Sequence, residues 1–230
     1  MVALRSVNFN SVNLHSEWSR YGLPSRGECR VTTSRKERAA ETEAALKAAA
    51  KRVFAERGWV GTKITDITAA AGRAAGSFYN HFPSKEALLR ALLADLLAEG
   101  DEAVLDPEHS MDFTDRAAVR FHVAAYWHFY RRNLPVMAAM RDATQADPAL
   151  RSWLQEFTRE DGLHMQAHLM TVQNLPGSPR LVVSAMNALV DQFAWTWLAA
   201  GGDGSGPPPS DEEAIELLTT LLHSGIAGRG

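Results

Sequence analysis

The residues best equipped for chemistry crowd between positions 63 and 85. Tyr79, His81 and Lys85 carry a hydroxyl, an imidazole and an ammonium at two- and four-residue steps, and Ser77 is small enough to let a surface approach closely. Lys63 and Thr65 stand upstream, where a short helix would begin and its free N–H groups would favour phosphate. A row of donors like this suits binding along a phosphate backbone. A second set, Asp161, His164 and His168, has helical spacing and puts three metal-capable groups on one face. It has no fourth ligand and no cysteine cluster, and it shares its face with Leu150, Leu154 and Phe157. Polar lining of a pocket or surface histidines therefore describe it better than metal, and no cofactor is expected. His122 and His128 are off helical-neighbour spacing and read as incidental. The chain has no Gly-rich phosphate loop, nucleophile elbow or zinc helix motif, so it is not expected to be an enzyme.

Helices must position these groups. Ser34-Arg-Lys-Glu37 is a capping box, and it opens a helix with Leu46, Ala49, Ala50, Val53 and Phe54 on one face. Gly58 should end that helix, leaving Trp59-Val60-Gly61 as a turn. Thr65 is expected to cap a short helix, Asp66–Ala71, and Gly72 to stop it. A second short helix spans about Gly76–Phe82, with Phe78 and Phe82 as its core anchors. Ser84 then caps a long helix from Lys85 to about Leu105. Two short helices joined by a Gly-containing turn on a longer first helix make a helix-turn-helix. Its second helix would enter a major groove while flanking helix ends clamp phosphates. Lys47, Lys51 and Arg52 read as a solvated face.

Beyond residue 110 the pattern stays helical. Helices are expected over Thr114–Asn133, which is apolar nearly all round, from Pro135 to Ala146, and from Pro148 to about Gln173. Two more follow, from Pro179 to Ala200 and from the capping box Ser210-Asp-Glu-Glu213 through Leu222. No alternating strand pattern of useful length intervenes. The fold class is all-α.

Charge divides the chain. Residues 1–90 hold 15 Lys and Arg against 8 Asp and Glu, and residues 91–230 hold 9 against 19, inside a net charge of −3. A basic unit followed by an acidic one suggests two jobs, with a polyanion as partner of the first. At 230 residues and 46% hydrophobic, the chain can bury a sizeable core without staples. Its single cysteine, Cys29, cannot form an internal bridge and fits a reducing cytoplasm. With no run of roughly 18 apolar residues, no membrane span is expected. Residues 1–33 lack helical periodicity and read as a disordered tail. Gly27-Glu28 back-translates to a purine-rich stretch just upstream of Val31, whose codon can be a start, so translation is expected to begin at Val31. The three expected units are the tail at 1–33, the helix-turn-helix domain at 34–83 and a second domain at 84–230.

The motifs Phe54-Ala-Glu-Arg-Gly58, Thr62-Lys-Ile-Thr-Asp-Ile67, Ala71-Gly72, Phe78-Tyr-Asn-His-Phe82 and Pro83-Ser-Lys-Glu-Ala-Leu88 occur in a telling order. Together they resemble the DNA-binding domain of the TetR (tetracycline-repressor-like) family. That resemblance implies a homodimeric regulator that binds double-stranded, pseudo-palindromic operator DNA and whose C-terminal domain takes a small-molecule effector. It further implies that Thr65, Tyr79, His81 and Lys85 contact phosphates and that Ala75 and Ser77 face the groove. One departure stands out. Where the family often has a β-branched residue, Ser and a basic residue, this chain has Arg73-Ala74-Ala75. An N-cap and a donor are lost, and Arg73 offers a partial replacement.

In the acidic half, the resemblance raises a pocket above an ordinary aromatic core. Tyr126, Trp127, Tyr130, Trp153, Phe157 and His164 are its expected lining, suited to an apolar or aromatic effector. The last two helices are too apolar for a solvated chain end. Leu181, Ala185, Ala188, Leu189, Gln192 and Trp195 follow helical spacing, as do Ile215, Leu218 and Leu222. Both stripes are assigned to a four-helix dimer seam, with burial inside one protomer as the alternative. The expected function is a ligand-responsive repressor. A helical-bundle enzyme acting on a hydrophobic substrate, or a constitutive DNA-binding protein without effector, are the alternatives.

Overall fold

The computed structural model describes residues 34–100 and 110–227. The tail expected over 1–33, the start expected at Val31 and the part of the fourth helix beyond Gly100 lie outside the described residues.

Helix α1 (Arg35–Gly61) begins at the expected capping box, with the Glu37 amide donating to Ser34 Oγ at 3.2 Å. Gly58 adopts φ +66°, a left-handed conformation that side-chain-bearing residues avoid, and the helix kinks there. Thr62 Oγ1 closes the bend by donating to the Gly58 carbonyl at 2.6 Å, and Trp59 turns into the core. α2 (Ile64–Ala70) is capped differently from expectation. Lys63 is the N-cap residue, its amide donating to Asp66 Oδ2 at 2.9 Å, and Thr65 stands exposed within the first turn. An aspartate three residues into the helix satisfies the end from inside. Gly72 (φ +63°) makes the turn into α3 (Ala75–Phe78), a single turn shorter than expected. α4 (Lys85–Gly100) starts at Ser84, whose Oγ accepts from the Ala87 amide.

The remaining helices are α5 (Arg116–Arg132), α6 (Leu134–Ala146), α7 (Pro148–Phe157), α8 (Arg159–His168), α9 (Pro179–Ala194) and α10 (Asp211–Ala227). The single helix expected from Pro148 to Gln173 is broken. Thr158 leaves helical geometry at ψ +8°, its hydroxyl donating to the Leu154 carbonyl, and a 3-10 turn (Leu169–Thr171) follows α8. α9 runs into a π-helical turn, Trp195–Ala199. Among the described residues every regular element is helical.

Two cores form. The first joins Leu46, Ala49, Ala50 and Phe54 of α1 and the leucines of α4 to Val136, Ala139, Met140 and Ala143 of α6. Alanines on both α1 and α6 let those two helices approach closely, so the basic head is packed directly on the second half of the chain. The second core joins α5, α9 and α10 around Phe113, Trp127, Tyr130, Val190 and Leu218. Arg116 and Arg120 of α5 bind Glu216 at 2.5 and 2.6 Å along its edge.

Candidate nucleic-acid interface

The packing of α3 decides which of its residues can reach a ligand. Phe78 is fully buried and Phe82 nearly so, with ring centroids 5.7 Å apart, as expected of the anchors. Tyr79, one residue on, is therefore thrown outward and is 60% exposed. Arg73 and Ala75 are exposed, as are Lys63 and Thr65 at the start of α2, while His81 is half-buried beside Phe82. Ser77 is half-buried, and its hydroxyl donates to the Ala74 carbonyl at 2.8 Å. Ala74 occupies the N-cap position with extended geometry (φ −67°, ψ 145°) and no side-chain acceptor, so the cap that Arg73-Ala74-Ala75 cannot supply is missing from the hydrogen bonding of α3.

Lys85 differs from its neighbours. Its Nζ donates to the carbonyls of Trp59 and Thr62, each at 2.8 Å, and lies 4.0 Å from the centroid of the Trp59 ring. Partial burial lowers its pKa below the ordinary lysine value, with Glu86 acting the other way. Two of its three protons hold the C-terminal end of α1 against the start of α4. Sequence spacing offered no sign of this role. Arg52 and Lys47 also do more than coat a solvated face. Arg52 donates to the Ala70 carbonyl at the end of α2, and Lys47 bridges Glu43 and Asp95 at 3.0 and 2.9 Å. Desolvation works to lower the Lys47 pKa, but the hydrogen bonds and charge of Asp95 and Glu43 prevail and raise it.

The six residues assigned to a pocket fall in three places. Trp127 and Tyr130 are fully buried in the second core, with Trp127 Nε1 donating to Asp211 at 2.8 Å. Tyr126 donates to Asp191 at 2.9 Å; burial first, then the Asp191 charge, raises its pKa far above the ordinary phenol value. Burial likewise pushes Tyr130 up to about 12. Trp153 and Phe157 stack on each other at 4.8 Å, with the Arg90 guanidinium of α4 5.1 Å from the Trp153 ring centroid. His164 lies 4.7 Å from His168, whose ring is 4.7 Å from His122. Helical spacing could not link His122 of α5 to α8; only tertiary packing does. Among the described residues no group of three or more His, Cys, Asp or Glu is arranged to hold a metal ion.

The stripes assigned to a dimer seam separate. On α9, Leu181, Ala185, Ala188, Leu189 and Gln192 are exposed and Trp195 is half-buried. On α10, Ile215, Leu218 and Leu222 are buried in the second core, against expectation. The neighbouring stripe, Leu217 and Leu221, is the exposed one, at 48% and 51%. Leu181, Leu189 and Leu221 line a shallow apolar groove between α9 and α10. No helix among the described residues is long and apolar enough to cross a membrane.

Comparison with known proteins agrees with this geometry. Residues 46–92 match the sequence model of bacterial regulatory proteins, tetR family. The chain is 24% identical to the HTH-type transcriptional regulator EthR of Mycolicibacterium smegmatis over 82% of its own length and 87% of that protein's. It is 34% identical to the HTH-type transcriptional regulator CymR of Pseudomonas putida over 52% of this chain and 59% of that one. In three dimensions it resembles the transcriptional regulator FadR of Bacillus subtilis, solved in complex with stearoyl-CoA. The TM-score there is 0.66 at 18% identity, covering 80% of this chain and 98% of that one. The head at residues 46–92 is thus similar to that of bacterial regulatory proteins of the tetR family, and the all-helical fold of the chain is that of solved transcriptional regulators.

Proposed function

We propose that this chain is a homodimeric, ligand-responsive DNA-binding transcriptional regulator, a repressor released from its operator by a small apolar or aromatic effector. The outward row on α2 and α3, above all Tyr79 standing clear of buried Phe78, is the observation that carries the reading. Ala75 and Ser77 face the groove, while Lys63, Thr65, Arg73, Tyr79 and His81 meet phosphates on either side. Lys85 braces the head, with one proton left for the DNA. The exposed face of α9, joined by Leu217 and Leu221 of α10, takes a second copy of the chain and presents two heads to a two-fold operator. The FadR relative, solved with stearoyl-CoA, supports an apolar effector here. An effector entering among the aromatic residues shifts an existing equilibrium between head spacings. A coupling of about 1–3 kcal/mol yields a 5–150-fold loss of operator affinity.

The complete burial of Trp127 and Tyr130 favours one second reading, a constitutive DNA-binding protein with a filled core. One experiment separates the two. Thermal shift is run against stearoyl-CoA and a panel of apolar compounds, and each hit is tested for release of a fluorescent operator duplex. A compound that both stabilises the protein and releases DNA supports the effector reading. Operator binding with no such compound supports the second, and a dimer that binds no duplex overturns both.

A further inference from the structure

The first core makes α6 the seat of the basic head, through Val136, Ala139, Met140 and Ala143. The polar side of the same helix reaches the other way. Arg141 Nη2 donates to Gln192 Oε1 at 2.6 Å, Nη1 lies 3.6 Å from Asp191 Oδ2, and the guanidinium is 4.5 Å from the centroid of the Trp195 ring. Asp191 is held in turn, its Oδ1 accepting from the Tyr126 hydroxyl of α5 at 2.9 Å. Gln192 is held as well, its amide nitrogen donating to Thr196 Oγ1 at 3.3 Å. The Asp191, Gln192 and Trp195 partners of the Arg141 guanidinium lie where α9 gives way to the π-helical turn Trp195–Ala199, a form that occurs mostly as single-turn interruptions of α-helices and frequently at functional sites.

We infer that Arg141 is a positioning residue for operator binding: it locks α6, and the head seated on α6, against the helix that carries the dimer seam. This rests on the proposed function, in which α9 pairs with a second copy. A planar guanidinium can engage Gln192, Asp191 and the face of Trp195 at once, because its donors are rigidly forked and its plane stacks on aromatic rings. A lysine ammonium cannot reproduce that geometry. An operator demands one separation between the two heads, so a lock between head seat and seam fixes how much of the population is competent to bind. Loosening it widens the spread of separations and leaves each head intact.

The test uses the full chain with Cys29→Ser and Ala55→Cys, the latter an exposed α1 position for a spin label. Head-to-head distances in the dimer are measured by pulsed electron spin resonance for the parent, Arg141→Met, Arg141→Lys and Tyr126→Phe. Both Arg141 variants are expected to remain dimers by sedimentation and to broaden the distance distribution. Tyr126→Phe, which removes a single hydroxyl, is expected to broaden it less. Affinity for a duplex selected by this protein from a random pool should change at least about 5-fold in the Arg141 variants, the low end of allosteric coupling. Affinity for the same duplex cut to one half-site should stay within about twofold. A dimer with the parental distribution and affinity overturns the inference alone, as does an equal loss on the half-site. A parent chain that sediments as a monomer overturns the proposed function, and this inference with it.

Discussion

Lys85 and Trp59 are joined twice, by a hydrogen bond from Nζ to the tryptophan carbonyl and by the ammonium lying against the indole face. The pair ties the start of α4 to the end of α1, across the kink that Gly58 permits. It braces the reading head from inside.

Replacing Lys85 with Met keeps most of the stem and removes both ties. Hydrogen bonds to charged groups and partly exposed cation–π pairs have modest net worth, so a loss of about 1–2 kcal/mol is expected in urea unfolding. Because two of the three ammonium protons are held by carbonyls, the salt dependence of operator binding should change little. Arg73→Ala should behave oppositely, with normal stability and a shallower salt slope. The slope should shrink by about 0.9 for each phosphate that is no longer neutralised, or about 1.8 for a dimer. Anisotropy titrations at several salt concentrations measure both.

Ala74 is an N-cap position holding a residue that cannot cap. Ala74→Ser supplies an acceptor for the free amides of α3 with no change of backbone. An N-cap serine is worth about 0.5–2 kcal/mol over alanine. A rise in unfolding free energy at the lower end of that range is expected, since α3 is a single turn.

The apolar face of α9 and α10 separates association from folding. Leu181 and Leu221 are 54% and 51% exposed, so Leu181→Glu with Leu221→Glu should halve the sedimenting mass and leave the helical circular dichroism signal intact. Leu218→Glu should unfold the chain, because Leu218 is fully buried and a lone carboxylate there has no partner. Were Leu218 a seam residue, the two results would be alike.

Asp211 accepts from the buried Trp127 indole and pairs with Arg131; first the indole bond, then the Arg131 interactions, hold its carboxyl below the ordinary value. The folded pKa is depressed, so the stabilisation is complete above the unfolded value of about 3.9 and is lost as pH falls through the folded one. Wild-type stability should therefore drop more steeply below about pH 4 than that of Asp211→Asn. Asp211→Ala leaves the indole N–H without this acceptor and should cost about 1–3 kcal/mol at neutral pH. Urea unfolding between pH 3 and 7 reads all three.

The helices were legible where local signals agreed. The boxes at Ser34 and Ser210, the prolines at 135, 148 and 179, and Gly72 mark ends that the structure keeps, whereas Gly58, expected to end the first helix, kinks it and α1 runs on to Gly61. What stayed hidden was tertiary. Thr158 breaks a helix with no Gly or Pro to announce it. On α10 two leucine stripes lie side by side, about 100° apart, and periodicity cannot choose which goes inside. The choice accompanies pairing of Glu212 and Glu216 with Arg116 and Arg120, partners some hundred residues apart in sequence. The helix-turn-helix that carries Lys63, Thr65, Arg73 and Tyr79 was legible from its local signals. The inward turn of Lys85 was not, because a lysine that binds carbonyls and one that binds phosphate look the same in sequence.

The most direct measurement is selection of duplexes from a random pool by the purified chain, followed by sedimentation of the complex at increasing salt. Two-fold related half-sites about 34–36 Å apart, or a multiple of that, are expected, with chains bound in pairs and affinity falling steeply as salt rises. Enrichment of no common sequence, binding by single chains, or affinity indifferent to salt would contradict it.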